Sequence, residues 1–257
     1  MSWLSSIFAL LAGRREVAAP AASTAAPIAS APVAPRAPLP VPAVGDALAA
    51  PPPPPVVAAP AVAWMRIDNH RLVGANFDPS PRLGGVITPL FLVMHYTAGW
   101  SAANSVRAIK QAGLSAHFFV DRDGRVIQTV PCNRAAYHAG VSAWGGHTDL
   151  NRHSIGIEIA NIGWLNKRVP DGWTRDGLSR AVPVGQVLLA AHRNGGASMA
   201  WEVYPEAQLR ALDDLTRAIL AAYPTIRDVV GHDDISPGRK QDPGPAFPMA
   251  RFRRLVG

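Results

Sequence analysis

The sequence predicts an α/β domain, a single mixed central β-sheet flanked by helices, preceded by a disordered Pro/Ala-rich segment. Three observations predict it. Short runs rich in apolar and β-branched residues recur at 90–96 and 155–159, each of a length suited to a strand. Asp123-Gly124 joins two more such runs, 116–121 and 125–130, and Asp-Gly between apolar runs is a strong hairpin signal. Over 205–223, Leu209, Leu212, Leu215 and Ile219 fall on one helical face, with Pro205 suited to a first turn.

Length and composition allow one sizeable core, since 257 residues carry 48% hydrophobic content. The single cysteine, Cys132, excludes an intramolecular disulfide framework and any cysteine-based metal site. A formal net charge of +7 suits an anionic partner. No nucleic-acid motif accompanies that charge, so an anionic cell envelope is the better match.

Taken in order, residues 1–16 hold an apolar stretch that is too short to span a bilayer as a helix and that is followed, within the segment, by Arg14 and Arg15. That polarity is the reverse of a typical secretory signal. The segment reads equally as an atypical export or anchor signal, or as a helix that touches a membrane surface or partner through residues 1–13; a tail without function is the third reading. Residues 17–62 hold 13 of the 25 prolines and the run Pro51 to Pro55. Proline removes backbone donors and favours extended polyproline II, so this stretch is expected to be a semi-rigid spacer, with a proline-rich ligand as the alternative.

Residues 63–257 carry the chemistry. A strand over 90–96 carries His95 near its end, a helix follows over 102–111, and Asp228 to Gly231 ends a further strand. Between them, 164–201 is interrupted by Pro170, Gly172, Gly177, Pro183 and Gly195-Gly196, with a helix expected over 184–192. His232 and Asp242 lie on a segment broken by Pro237, Gly238, Pro243 and Gly244, which cannot form one regular helix and can fold back on itself. Two imidazoles and a carboxylate on separate elements, with Lys240 two residues before the carboxylate, suit a hydrolytic Zn²⁺ that keeps its fourth position open. Asp233 and Asp234 are alternative carboxylates, suited to orienting an imidazole. Glu158 projects from its strand opposite to Ile157 and Ile159. From that local pattern it is either a solvent-facing edge carboxylate or a general base.

Five segments in order carry a resemblance: Leu92 to Gly99, Ser115 to Gly124, Ala136-Tyr137-His138-Ala139-Gly140, Ser154 to Ile159, and Gly231 to Phe252. Over roughly 85–255 the chain resembles the zinc-dependent N-acetylmuramoyl-L-alanine amidase family, which includes phage endolysins and peptidoglycan-recognition proteins. The resemblance implies that His95, His232 and Asp242 hold the zinc, that Glu158 is the general base and that Lys240 stabilises the oxyanion. It further implies cleavage between the N-acetylmuramic acid lactyl group and L-alanine of peptidoglycan or a muropeptide. His138 matches a family segment that suggests substrate contact. Tyr96, Thr97 and Asn161 either line the groove or are structural.

His117 reads as a satisfied core residue, and His70, His147, His153 and His192 as surface or loop residues. The 164–201 segment looks like an elaborated wall of the cleft. Its Trp164 and Trp173, together with Trp201, can stack on sugars, although packing is the commoner fate of tryptophan. Two rival readings remain: a non-catalytic peptidoglycan-binding module, and a cytoplasmic amidase recycling wall fragments. Family members of the first kind typically lack part of the metal set that is complete here. The Ser-Ile-Gly-Ile-Glu pattern favours the second, whereas His-Tyr-Thr-Ala-Gly and the spacer favour intact wall and a cell-envelope or periplasmic location.

Overall fold

The structure, a computed structural model, describes residues 65–256. The expectations for 1–16 and 17–62 lie outside the described residues. Six strands build the central sheet: β1 (Asn76–Phe77), β2 (Phe91–Tyr96), β3 (Phe118–Val120), β4 (Val126–Gln128), β5 (Ser154–Ile159) and β6 (Asp228–Gly231). Their order across the sheet is β6-β2-β5-β3-β4-β1. Only β3 and β4 pair antiparallel, and the other four neighbouring pairs are parallel, so the sheet is mixed as the sequence predicts. The β3–β4 hairpin closes through Asp121 N–H to Arg125 C=O at 2.8 Å. Gly124 supplies a positive φ of 90° in its turn.

Side-chain alternation divides the sheet into two faces. Leu92, Met94, Ile155, Ile157 and Ile159 point one way and pack on Leu209, Leu212, Leu215 and Ile219 of helix α2 (Glu206–Ala222). Those four positions recur every three or four residues, and burying each aliphatic side chain contributes roughly 1.5–3 kcal/mol. Helix α1 (Ala102–Gln111) starts at Ser101, whose hydroxyl accepts from Asn104 N–H, and buries Ala102 and Val106 against Phe119 on the other face. Along that second face, Phe91 and Val93 pack with Leu150, Val230 and Ile235. The same side of β2 and β5 then ends in His95 and Glu158, which are register partners across the parallel pair.

The 164–201 region departs from expectation. No helix spans 184–192; instead a 3₁₀ turn over Val184–Gln186 leads into a strand over Val187–Ala190. That strand pairs antiparallel with Met199–Glu202, which also pairs with Trp164–Leu165. Backbone pairing to a segment nine or more residues away overrides the local apolar spacing. A second small sheet joins Lys167–Val169, Gly172–Thr174 and Val182–Pro183. The wall is tied to the main sheet by Glu202. Its buried carboxylate accepts two hydrogen bonds from Arg122, at 2.5 and 2.9 Å, and one from Ile162 N–H at 2.6 Å. Bidentate charge-assisted pairing of this kind is what a buried carboxylate needs.

Candidate metal centre

Three elements meet at the carboxyl ends of β2 and β6. His95 is the fifth residue of β2, and His232 opens the short helix α3 (His232–Ile235) directly after β6. Asp242 follows on the loop that Pro237 and Gly238 begin, and its carbonyl accepts Asp233 N–H at 2.8 Å, which folds the loop back on the helix start. His95 Nδ1 lies 2.8 Å from His232 Nδ1 and 2.9 Å from Asp242 Oδ2, and His232 Nδ1 lies 3.0 Å from the same oxygen. Among the described residues this is the one cluster of three His, Cys, Asp or Glu side chains with metal-holding geometry.

The donor set fits a divalent zinc-like cation. His232 Nε2 is 2.9 Å from the Ala139 carbonyl, which can only accept, so Nε2 carries the proton and Nδ1 presents its lone pair inward. Two ring nitrogens and one carboxylate oxygen converging on a point form the three-ligand set of a hydrolytic zinc site. Burial, followed by the neighbouring His232, lowers the His95 pKa to about 4, so its ring is neutral and able to ligate at neutral pH. Burial alone would raise the Asp242 carboxyl, but the adjacent His232 and His95 outweigh it and hold Asp242 below the usual carboxylate range.

Glu158 stands beside this triangle on the neighbouring strand, only 8% exposed. Burial and then the Asp242 charge raise its pKa well above the ordinary value, while Lys240 works in the opposite direction. A carboxyl whose proton affinity is raised in this way suits taking up and passing on a proton. Lys240 is half-buried, and a 430 Å³ cleft opens beside it, lined by Trp164, His192, Met199 and Gln241. A larger depression of 550 Å³, lined by Tyr137, His147 and His153, contains none of the candidate catalytic residues.

The other predicted residues divide. His138 lies against His95, its Nδ1 3.0 Å from His95 Nε2 and its Nε2 3.5 Å from Ser154 Oγ. Thr97 is half-buried just past β2, and its hydroxyl accepts from Gly99 N–H. Tyr96 points away from His95, and its ring packs so closely on Gly163 that a Cβ there would meet it at 2.4 Å. Asn161 corrects the groove expectation. It is fully buried, accepting from Gly163 N–H at 2.7 Å and donating to the Glu202 and Val203 carbonyls. Trp201 is likewise a core residue, 1% exposed with its indole N–H donated to Ala190 C=O.

His117 is the satisfied core residue expected, bonded to Gly156 N–H and Arg134 C=O, and burial lowers its pKa to about 4. His192 is not a surface residue. It is buried and bonded to Asp233 Oδ2 at 3.0 Å and Gln241 C=O at 3.2 Å, fastening the wall to the metal loop. Asp233 therefore orients His192 rather than a ligand imidazole. Asp234 accepts from Gly231 N–H at 2.6 Å and pairs with Arg193 and Arg253. No local pattern marks His192, whereas Gly156 inside the apolar strand 154–159 is a readable sign that something approaches the backbone closely.

Known proteins are similar to this chain in sequence and in fold. Residues 86–245 match the family model described as N-acetylmuramoyl-L-alanine amidase. The 1,6-anhydro-N-acetylmuramyl-L-alanine amidase AmpD of Escherichia coli is 32% identical over 215 residues, covering 75% of this chain and 97% of that relative. The N-acetylmuramoyl-L-alanine amidase AmiD of the same organism is 34% identical over 169 residues, covering 63% of this chain and 51% of its own length. Among solved structures, a selenomethionine AmpD derivative superposes with a TM-score of 0.52 at 29% identity, covering 75% of this chain and all of that one. The E. coli AmiD complex with anhydro-N-acetylmuramic acid-L-Ala-D-gamma-Glu-L-Lys gives 0.51 at 28% identity, over 75% and 65% of the two chains. The matched span contains every strand of the central sheet except β1 together with the three converging donors, and the chain belongs to the zinc-dependent N-acetylmuramoyl-L-alanine amidase family.

Proposed function

We propose that this chain hydrolyses the amide bond between the N-acetylmuramic acid lactyl group and L-alanine in peptidoglycan or its fragments, using Zn²⁺ held by His95, His232 and Asp242. The observation that carries the reading is the convergence of the two Nδ1 atoms and Asp242 Oδ2 within 3.0 Å of one another, with Glu158 on the adjoining strand. When bound, zinc supplies Lewis acidity and lowers the pKa of a coordinated water toward neutrality. Glu158 takes the proton of the attacking water and passes it to the departing L-alanine amine. Lys240 faces the oxyanion of the tetrahedral intermediate, where a fixed positive charge lowers the barrier. Substrate enters by the cleft beside Lys240, between Trp164 and Gln241.

Two substrate forms fit this chemistry. Intact wall and a cell-envelope or periplasmic location suit the net charge of +7. Soluble anhydro-muropeptide suits the likeness to AmpD along 97% of that relative's length, with the cytoplasm as the matching compartment. Mass spectrometry of wall sacculi and of anhydro-muropeptide, each digested with zinc-loaded protein, separates them. Free stem peptides beginning with L-alanine are expected, abolished by EDTA and reduced about 10²–10⁴-fold in Glu158→Gln. Release that survives EDTA rejects the zinc mechanism, and wall binding without release leaves a recognition module.

A further inference from the structure

We propose that His138 is a positioning residue of the metal centre, holding His95 in the one tautomer and rotation that present its Nδ1 lone pair to the cation. This rests on the metal reading above. A chain of hydrogen bonds, read outward from a group that can only accept, supports it. It ends at the Leu150 carbonyl, which can only accept, so the Ser154 hydroxyl 2.5 Å away must donate to it. Ser154 Oγ is then left to accept, and the His138 Nε2 that faces it at 3.5 Å carries the proton of that ring. In that direction His138 Nδ1 is a lone pair, and His95 Nε2, 3.0 Å away, is its donor. With the His95 proton fixed on Nε2, Nδ1 is free for the metal.

The His138 ring is itself immobilised. Asn151 Oδ1 accepts the backbone N–H groups of His138 and Ala139 at 2.9 and 2.8 Å. Gly156 forms the floor beneath the ring: a Cβ there would lie 2.5 Å from its Cγ and Nδ1. The His95 and His138 rings meet edge to face, with centroids 5.1 Å apart and an interplanar angle of 82°. Both ligand histidines are thus oriented from one short segment. His138 sets His95 through its side chain, and Ala139 sets His232 through its carbonyl. Partners of this kind fix ligand tautomers, and losing one typically weakens metal binding about 10–100-fold.

The test is a zinc titration of the full chain against a chromophoric chelator, alongside the thermal melt of the metal-free protein and the visible spectrum of the Co²⁺-loaded form. His138→Leu fills the space but accepts nothing, whereas His138→Asn places an amide oxygen near the position of Nδ1. The Leu variant is expected to bind zinc about 10–100-fold more weakly and to alter the Co²⁺ bands, with the Asn variant restored to within a few-fold of wild type. Ser154→Ala, which cuts the chain one link further out, is expected to weaken zinc binding in the same direction even if the Leu variant fails to fold. Wild-type affinity in folded His138→Leu, equal weakening in Leu and Asn, or unchanged affinity in Ser154→Ala overturns the assignment while leaving the amidase reading standing. A wild-type chain that takes up no zinc sinks both.

Discussion

The two faces of strand β5 differ as sharply as any two regions of the molecule. Ile155, Ile157 and Ile159 enter a continuous aliphatic layer beneath α2, while Ser154, Gly156 and Glu158, alternating with them, hold His138, make room for it and flank the metal ligands. One face is chosen for apolar volume and the other for size and proton chemistry. Because the period of a strand is two, a single six-residue segment serves both ends without compromise. Damage to one face should therefore appear as lost stability, and damage to the other as lost chemistry.

The strongest way to break that separation is to cut into the aliphatic face. Ile157→Ala removes a fully buried side chain and should cost about 2–5 kcal/mol in urea unfolding of the metal-free protein, with zinc affinity of the folded fraction unchanged. A parallel fall in zinc affinity would mean that the faces are coupled. Lys240→Met probes the opposite side. Here kcat is expected to fall about 10²–10³-fold, while the melting temperature moves little, because a half-buried lysine outside the core contributes little to packing. A loss of stability with normal turnover would reverse its assignment.

A subtler probe is acid. His117 sits behind the site face with its pKa lowered from 6.5 to about 4 by burial. Between those values the unfolded chain binds a proton that the folded chain does not, so stability is complete above pH 6.5 and falls as the pH drops toward 4. His117 contributes about 3 kcal/mol to that fall. The urea midpoint in EDTA should decline steadily across the window, and a midpoint flat from pH 6.5 to 5 would contradict the buried neutral ring.

The same contrast explains what could be read from the chain. The expected strands and hairpin, α1 and α2 are carried by local signals: alternation, an Asp-Gly turn, and a 3-to-4-residue apolar spacing. The convergence of His95, His232 and Asp242 was legible only in part: a segment broken by Pro237, Gly238 and Pro243 can turn back on itself, and the choice of the three side chains came from the family resemblance. The wall was not legible, since the strand Val187–Ala190 exists only by pairing with Met199–Glu202, and nothing within 184–192 encodes that partner. Asn161 misled for a related reason: its hydrogen bonds go to Glu202 and Val203, some forty residues away in sequence. The closeness of His138 to His95 was not legible, because it is purely spatial, with Gly156 as its one local trace.

Glu202 sets a practical limit on remodelling the molecule. Its carboxylate belongs to the wall, yet it is the partner of Arg122 in the β3–β4 hairpin and of the Ile162 amide. The wall is therefore not a cassette that can be excised or exchanged at its two ends. A graft that removed Glu202 would leave the half-buried Arg122 guanidinium without its carboxylate and the buried Ile162 amide without an acceptor, the amide alone costing about 1–3 kcal/mol, unless the incoming segment brought a carboxylate to the same point.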